Sequence, residues 1–187
     1  LSFENVISFN LDEYYPMDPN ALQSYVKFMH EQLFCHIDIK PENIHIPDGT
    51  QDKRSVVDFC FSYEEKIDKY GGLDIQILGI GRTGHIGFNE PGSSSLSITR
   101  LVNLDSITRI DAASDFFGEE NVPIKAITMG VGTIMKARRI IIMAWGEIKS
   151  NVVAQSIENS PSDNIPASYL QFLPNTSFIL DTAAGSD

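Results

Sequence analysis

A chain of 187 residues, 42% hydrophobic and 21% charged, is long enough for one globular domain with a real core and has nothing of a disordered composition. Its net charge of −11, from 25 acidic against 14 basic residues, argues against a nucleic-acid or anionic-membrane surface, each of which needs clustered Lys and Arg. An anionic small molecule remains compatible if a few cations are placed locally.

The expected elements alternate along the chain. A strand is predicted near Val6–Leu11, a helix near Asn20–Phe34, a helix near Lys53–Tyr70 and a strand near Leu73–Leu78. Leu22, Tyr25, Val26, Met29 and Leu33 follow helical spacing, and Phe59, Tyr63, Tyr25 and Met29 read as core. A glycine-rich segment follows, then a strand near Thr99–Leu104, a short helix near Ala112–Phe117, a strand at Ala126–Val131 and a short helix at Thr133–Ala137. The strand Arg139–Trp145 contains IIIMAW, continuously apolar as expected of a central strand covered on both faces. A helix near Glu147–Glu158, a helical turn near Ser168–Phe172 and a strand Ser177–Leu180 complete the series. This pattern predicts a single α/β domain, a three-layer, mainly parallel, doubly wound Rossmann-like sheet with helices on both faces. The chain opens at Leu1 almost directly into a strand and stops at Asp187 just after another, so it reads as a piece of something longer.

Cys35 and Cys60 fall in expected helices without a C-x-x-C pattern, so buried reduced thiols are expected rather than a disulfide or a zinc site. His30, His36 and His45 lack metal-ligand spacing and read as surface or capping residues. No apolar run approaches the about 18 residues of a membrane span, and no signal peptide opens the chain, so a cytoplasmic enzyme is expected.

The chemistry concentrates in LDIQILGIGRTGHIGFNEP, residues 73–91, where an apolar strand ends in glycines followed by His85, Asn89 and Glu90. Ligands of open α/β sheets bind beyond the carboxyl ends of strands, which makes His85 and Glu90 acid/base candidates by position as well as type. Gly79, Gly81 and Gly84 spell the dinucleotide fingerprint, but Gly87, Pro91 and Gly92 break the helix that the pyrophosphate would need. A nucleotide site is therefore not expected. At a second strand end Asp12 and Glu13 could simply solvate a loop that turns at Pro16. Joined to His85 and Glu90, they form a set able to open a sugar ring and shift a proton between neighbouring carbons. Ser93–Ser95 could bind an anion through backbone N–H groups or form a plain solvated loop.

FNLDEY, GHIGFNEP and MGVGTI, followed by a strand and W-G-E-I-K, resemble the glucosamine-6-phosphate deaminase/isomerase family, in order and over essentially the whole chain. The related sugar-phosphate lactonases match these segments less well. The resemblance implies conversion of glucosamine 6-phosphate and water to fructose 6-phosphate and ammonia, without metal or organic cofactor. It makes Asp12 the base that moves a proton between C2 and C1, His85 the group that assists ring opening, and Glu90 its support. Glu13, Gly81, Thr83, Gly84, Asn89 and Lys149 become substrate-binding positions, Lys149 for the phosphate, near a helix N-terminus. Gly130 and Gly132 permit a close backbone approach, and residues 100–125 correspond to a mobile lid. The expected partner is a small sugar phosphate, and homo-oligomers occur in the family.

Two departures stand out. Thr83 replaces an Asp of the family's ring-opening group, and a hydroxyl cannot stabilise an imidazolium as a carboxylate does. Ser114 and Asp115 precede Phe116 and Phe117 where the family carries a phosphate-gripping arginine, so Arg82, Arg100 or Arg109 would have to supply that cation, or the substrate differs. The family's glycine-rich phosphate loop would lie upstream of Leu1, so the isolated chain is expected to bind sugar phosphate poorly. The alternatives are a divergent enzyme on another sugar phosphate, of isomerase or lactonase type, and a catalytically weakened sugar-phosphate-binding regulatory module of a larger protein.

Overall fold

The computed structural model describes residues 1–186. The chain divides into two compact units, the first built from Leu1–Tyr63 with Leu101–Thr128 and the second from Glu64–Arg100 with the chain from Met129 onward.

In the first unit β1 (Ser8–Phe9) pairs in parallel with β3 (Ile44–His45), a strand not expected from the sequence. β2 (Asp12–Tyr15) pairs antiparallel with β6 (Lys125–Thr128), setting Asp12 opposite Thr128, and β5 (Arg100–Asn103) completes the order β2-β6-β5. The single strand expected over Val6–Leu11 is thus two short ones. The Asn10 N–H donates to the His45 carbonyl at 2.8 Å, and the chain then leaves β3 to pair with β6. Asp12 and Glu13 consequently open a strand instead of a loop.

Helix α1 (Tyr25–Gln32) starts five residues later than expected. Asp18 accepts the Asn20 N–H at 2.9 Å and holds a turn, and the Ser24 hydroxyl accepts the Val26 N–H at 3.0 Å as the N-cap. Side-chain competition of this kind moved the boundary. The short helix expected at Ala112–Phe117 lies instead at α3 (Ser106–Ala112), capped by Asp105 on the Ile107 N–H at 2.8 Å. Phe117 at φ 58° and Gly118 at φ 143° cannot continue a helix. Helix α2 (Val56–Lys69) begins in this unit, where Val56 and Cys60 pack with Tyr15 and Ile127 in one apolar cluster. Cys60 is buried as expected. Cys35 is exposed, in a 3-10 turn at Phe34–His36, because the helix has ended before it.

In the second unit β4 (Gln76–Gly79), β7 (Ile140–Ala144) and β8 (Thr176–Leu180) form a parallel sheet with β7 central. Between its strands run α4 (Val131–Met135), α5 (Ser150–Glu158) and a 3-10 segment at Pro166–Phe172. The architecture is the expected α/β class, with parallel pairing in this sheet and in β1–β3, and β2–β6 as an antiparallel addition.

Burial of the IIIMAW strand differs from expectation. Leu78, Ile140 and Ile142 are sealed on one face, while on the other Ile77 is 56% exposed, Ile179 46% exposed, and Ile141 and Met143 only half-buried. A continuous apolar run hides the side-chain alternation that separates the two faces. Trp145, beyond the strand, is exposed.

The glycines after β6 serve a close approach. A Cβ on Gly130 would overlap the Ser97 backbone, while the Gly132 N–H donates to the Ser97 carbonyl at 2.8 Å and the Val131 N–H to the Ser97 hydroxyl at 3.0 Å. Glu64 fixes the same region, accepting the Thr99 N–H at 2.7 Å, the Thr99 hydroxyl, and the Thr133 hydroxyl at 2.7 Å. Gly130→Ala should therefore cost about 1–3 kcal/mol in chemical denaturation through backbone overpacking; an unchanged midpoint would show that the 95–98 segment yields freely.

Candidate active site

The second unit carries the histidine group. Past Gly79 the chain winds into a tight loop, in which the Gly81 N–H donates to the His85 carbonyl and the Gly84 N–H to the Gly81 carbonyl, each at 2.9 Å. Gly84 sits at φ 78° and Gly87 at φ 56°, and Ile86 and Asn89 form an antiparallel bridge. The His85 imidazole lies directly over Gly81, so a Cβ at position 81 would overlap the ring. Thr83 Oγ1 stands 2.9 Å and Glu90 Oε2 3.3 Å from His85 Nδ1. The Thr83 hydroxyl can donate or accept at Nδ1, whereas the Glu90 carboxylate can only accept, so its approach favours the neutral tautomer with the proton on Nδ1 and Nε2 as the basic nitrogen. The side chains of His85 and Glu90 are 17% and 12% exposed, shielded enough for their attraction to hold the ring in place.

Lys149 closes a 3-10 turn, Glu147–Lys149, that leads into α5, and its Nζ donates to the Ile80 carbonyl at 2.7 Å, beside the histidine loop. Asn89 is fully buried. Its Nδ2 donates to the Ile86 and Met129 carbonyls, each at 2.8 Å, and its Oδ1 accepts from Arg100 at 2.8 Å. Its amide is thus engaged with protein on every side. Arg100 also donates to the Ile98 carbonyl and the Ser93 hydroxyl. Arg109, in the first unit, donates to the Glu119 carbonyl at 3.0 Å and faces the Glu119 carboxylate at 3.8 Å. Arg82, exposed in the same loop as His85, is the third arginine that the sequence suggested for a phosphate. Asp115 is exposed on the first unit.

The first unit carries Asp12 and Glu13. Burial, and then the neighbouring charge of Glu13, push the Asp12 carboxyl up to about 7. Glu13 is 1% exposed and works as an anchor for α1. One oxygen accepts the Tyr14 N–H at 2.9 Å, and the other accepts the Ser24 hydroxyl at 2.8 Å and the Val26 N–H at 3.2 Å. Its burial raises it despite these donors. A carboxylate at a helix N-terminus also meets the favourable end of the helix dipole.

Sequence reasoning missed the tyrosines of this group. Tyr14 and Tyr25 lie with ring centroids 5.5 Å apart and share a side-chain hydrogen bond. Burial pushes the Tyr14 hydroxyl up to about 12 and Tyr25 well above its ordinary value, the charge of Asp12 adding to both. Phe116 packs edge-on against Tyr14 at 4.9 Å. The available signal was the Ser24 N-cap, which aims the first helical residue, Tyr25, back toward β2. Among the described residues no group of three or more His, Cys, Asp and Glu side chains is placed to hold a metal, and no helix is long and apolar enough to cross a membrane.

Residues 1–177 match the family described as glucosamine-6-phosphate isomerases/6-phosphogluconolactonase. A glucosamine-6-phosphate deaminase from Thermoanaerobacter pseudethanolicus is 46% identical over the whole chain, which spans 73% of that relative. A glucosamine-6-phosphate deaminase-like protein from Bacteroides thetaiotaomicron is 47% identical over 98% of the chain, which spans only 28% of that longer protein. Among solved structures, a monomeric glucosamine-6-phosphate deaminase superposes with a TM-score of 0.96 at 41% identity, over all of this chain and 76% of its own. A 6-phosphogluconolactonase from Thermotoga maritima shares the fold, with a TM-score of 0.74 at 20% identity over 96% of this chain and 74% of its own. With its motifs, fold and whole-length identity in agreement, the chain belongs to the glucosamine-6-phosphate isomerase/6-phosphogluconolactonase family.

Proposed function

We propose that the chain carries the chemistry of a glucosamine-6-phosphate deaminase, releasing ammonia and fructose 6-phosphate by acid/base catalysis. The observation that carries the proposal is the His85 ring, held at Nδ1 by Glu90 and Thr83 with Nε2 left basic, in a chain 46% identical to a deaminase throughout. In this reading His85 moves the C1 hydroxyl proton to the ring oxygen as the C1–O5 bond breaks and the pyranose opens to the aldehyde, and Glu90 stabilises the imidazolium that forms between the two transfers. Asp12, ionised above about 7, removes the C2 proton to give an enolamine and returns a proton to C1. Water then adds to the resulting C2 imine, and the C2–N bond breaks to release ammonia. No step calls for a cofactor. Lys149, on release from the Ile80 carbonyl, would supply the cation for the phosphate, with Arg82 a second candidate.

The test is ammonia release from glucosamine 6-phosphate by the complete protein, run beside hydrolysis of 6-phosphogluconolactone. Release with little lactone hydrolysis supports the reading, and faster lactone hydrolysis would move it to the lactonase branch. Thr83→Asp should add a carboxylate beside Nδ1 and favour the imidazolium. Ring opening forms that imidazolium, so kcat should rise by up to about tenfold where ring opening limits the rate; an unchanged kcat would remove position 83 from that step. A sugar-phosphate substrate suits the cytoplasm. Light scattering would decide between a homo-oligomer and the monomeric state of the solved relative.

A further inference from the structure

Glu90 sits in the turn at residues 89–93, and the residues on either side of it lead to one guanidinium. Arg100 Nη1 donates to Asn89 Oδ1 at 2.8 Å and Nη2 to the Ser93 hydroxyl at 3.1 Å. Asn89, 0% exposed, in turn pins the turn to the Ile86 and Met129 carbonyls, and the Ser93 N–H donates to the Glu90 carbonyl at 3.0 Å. The two arms of Arg100 therefore reach the residue before Glu90 and the one three positions after it. All of these partners are neutral, so the guanidinium donates to them without neutralising a carboxylate. Both arms thus bear on the backbone that carries Glu90 to within 3.3 Å of His85 Nδ1.

We propose that Arg100 is a positioning residue for the His85–Glu90 pair, bracketing the 89–93 turn through Asn89 and Ser93 so that the Glu90 carboxylate stays on the imidazole. The proposal rests on the deaminase reading for its kinetic consequence, and on geometry alone for its structural one. An alternative in which the guanidinium acts only by its charge makes a different prediction, because Lys would then replace Arg fully. A lysine cannot span two partners with a planar fork.

The test follows the His85 Nδ1–H resonance by nitrogen-15-edited NMR in the complete protein, without substrate, with the melting temperature recorded for each variant. Glu90→Gln identifies the signal by shifting it. Arg100→Met should abolish the slowly exchanging resonance, and Arg100→Lys should leave it weakened. Arg100→Met on top of Glu90→Gln should change it no further, since the bracket acts through Glu90. In the complete protein Arg100→Met should lower kcat about 10- to 100-fold with KM within about twofold, the mark of misplaced machinery rather than lost binding. A folded Arg100→Met chain with the wild-type resonance would overturn the proposal, as would full rescue by Lys. If Arg100→Met does not fold, Ser93→Ala removes a single arm, and its resonance must exchange faster; an unchanged one overturns the proposal equally. A complete protein inactive on glucosamine 6-phosphate would instead remove the functional reading and leave the resonance test standing.

Discussion

Asp12→Asn is expected to abolish turnover while making the protein more stable. As the base for the C2 proton, Asp12 should contribute about 10^3-fold to kcat, within the range of a positioned general base. The stability change has the opposite sign. Asp12 has an ordinary value of 3.8 and is pushed up to about 7 in the fold. Between these two values the folded state holds a proton that the unfolded state has lost, so this group makes stability fall as pH rises from about 4 to about 7, with the full penalty above. Asn carries no such penalty, and the variant should gain on the order of 2 kcal/mol at pH 8, allowing for a half-buried group. The same raised carboxyl makes wild-type activity climb through about pH 7 as the base ionises. Denaturation at pH 4 and pH 8 checks both halves. A variant destabilised at pH 8 would show Asp12 held as a stabilising anion and unfit as a tuned base.

Gly81→Ala is expected to cost about 10^2-fold in kcat through a single methyl group. The backbone at position 81 does not require glycine for its dihedrals, since no left-handed φ occurs there. What it lacks is room, because the Cβ would fall on the His85 ring. The ring must swing off its contacts with Thr83 and Glu90, losing the arrangement that leaves Nε2 basic. Stability should fall by about 1–3 kcal/mol, the usual range for overpacking. In a His85→Ala background the same substitution should cost little, because its obstacle is gone. An equal cost in both backgrounds would mean that the methyl clashes with something other than the imidazole.

The histidine loop was legible because its chemistry is written in adjacent residues: Gly81, His85 and Glu90 lie within ten positions and the loop folds on itself. The α/β class was legible from long periodic segments such as α2 and from the apolar run of β7. Boundaries set by side chains were not. Asp18 and Ser24 delay α1, and Asp105 starts α3 early, through bonds to backbone N–H groups that compete with helical spacing. Long-range partners were equally hidden. Glu13 reads as a loop-solvating or substrate-binding carboxylate, with no sign in the sequence that α1 turns back to place Ser24 and Val26 on it, and Asn89 reads as a substrate-binding position, with no sign that Met129 and Arg100 bond its amide. Gly130 and Gly132 were recognised as sites of close approach, but nothing in the sequence said that Ser97 would be the neighbour.

The most direct measurement follows deuterium placed at C2 of glucosamine 6-phosphate through turnover by the complete protein and by its Asp12→Asn variant. Proton abstraction by Asp12 predicts that deuterium leaves C2 in step with ammonia release and appears at C1 or in solvent, and that the variant does neither. Ammonia released with a product that still carries its deuterium at C2 would contradict the account, since nitrogen would then leave by direct substitution with no role for a base at Asp12.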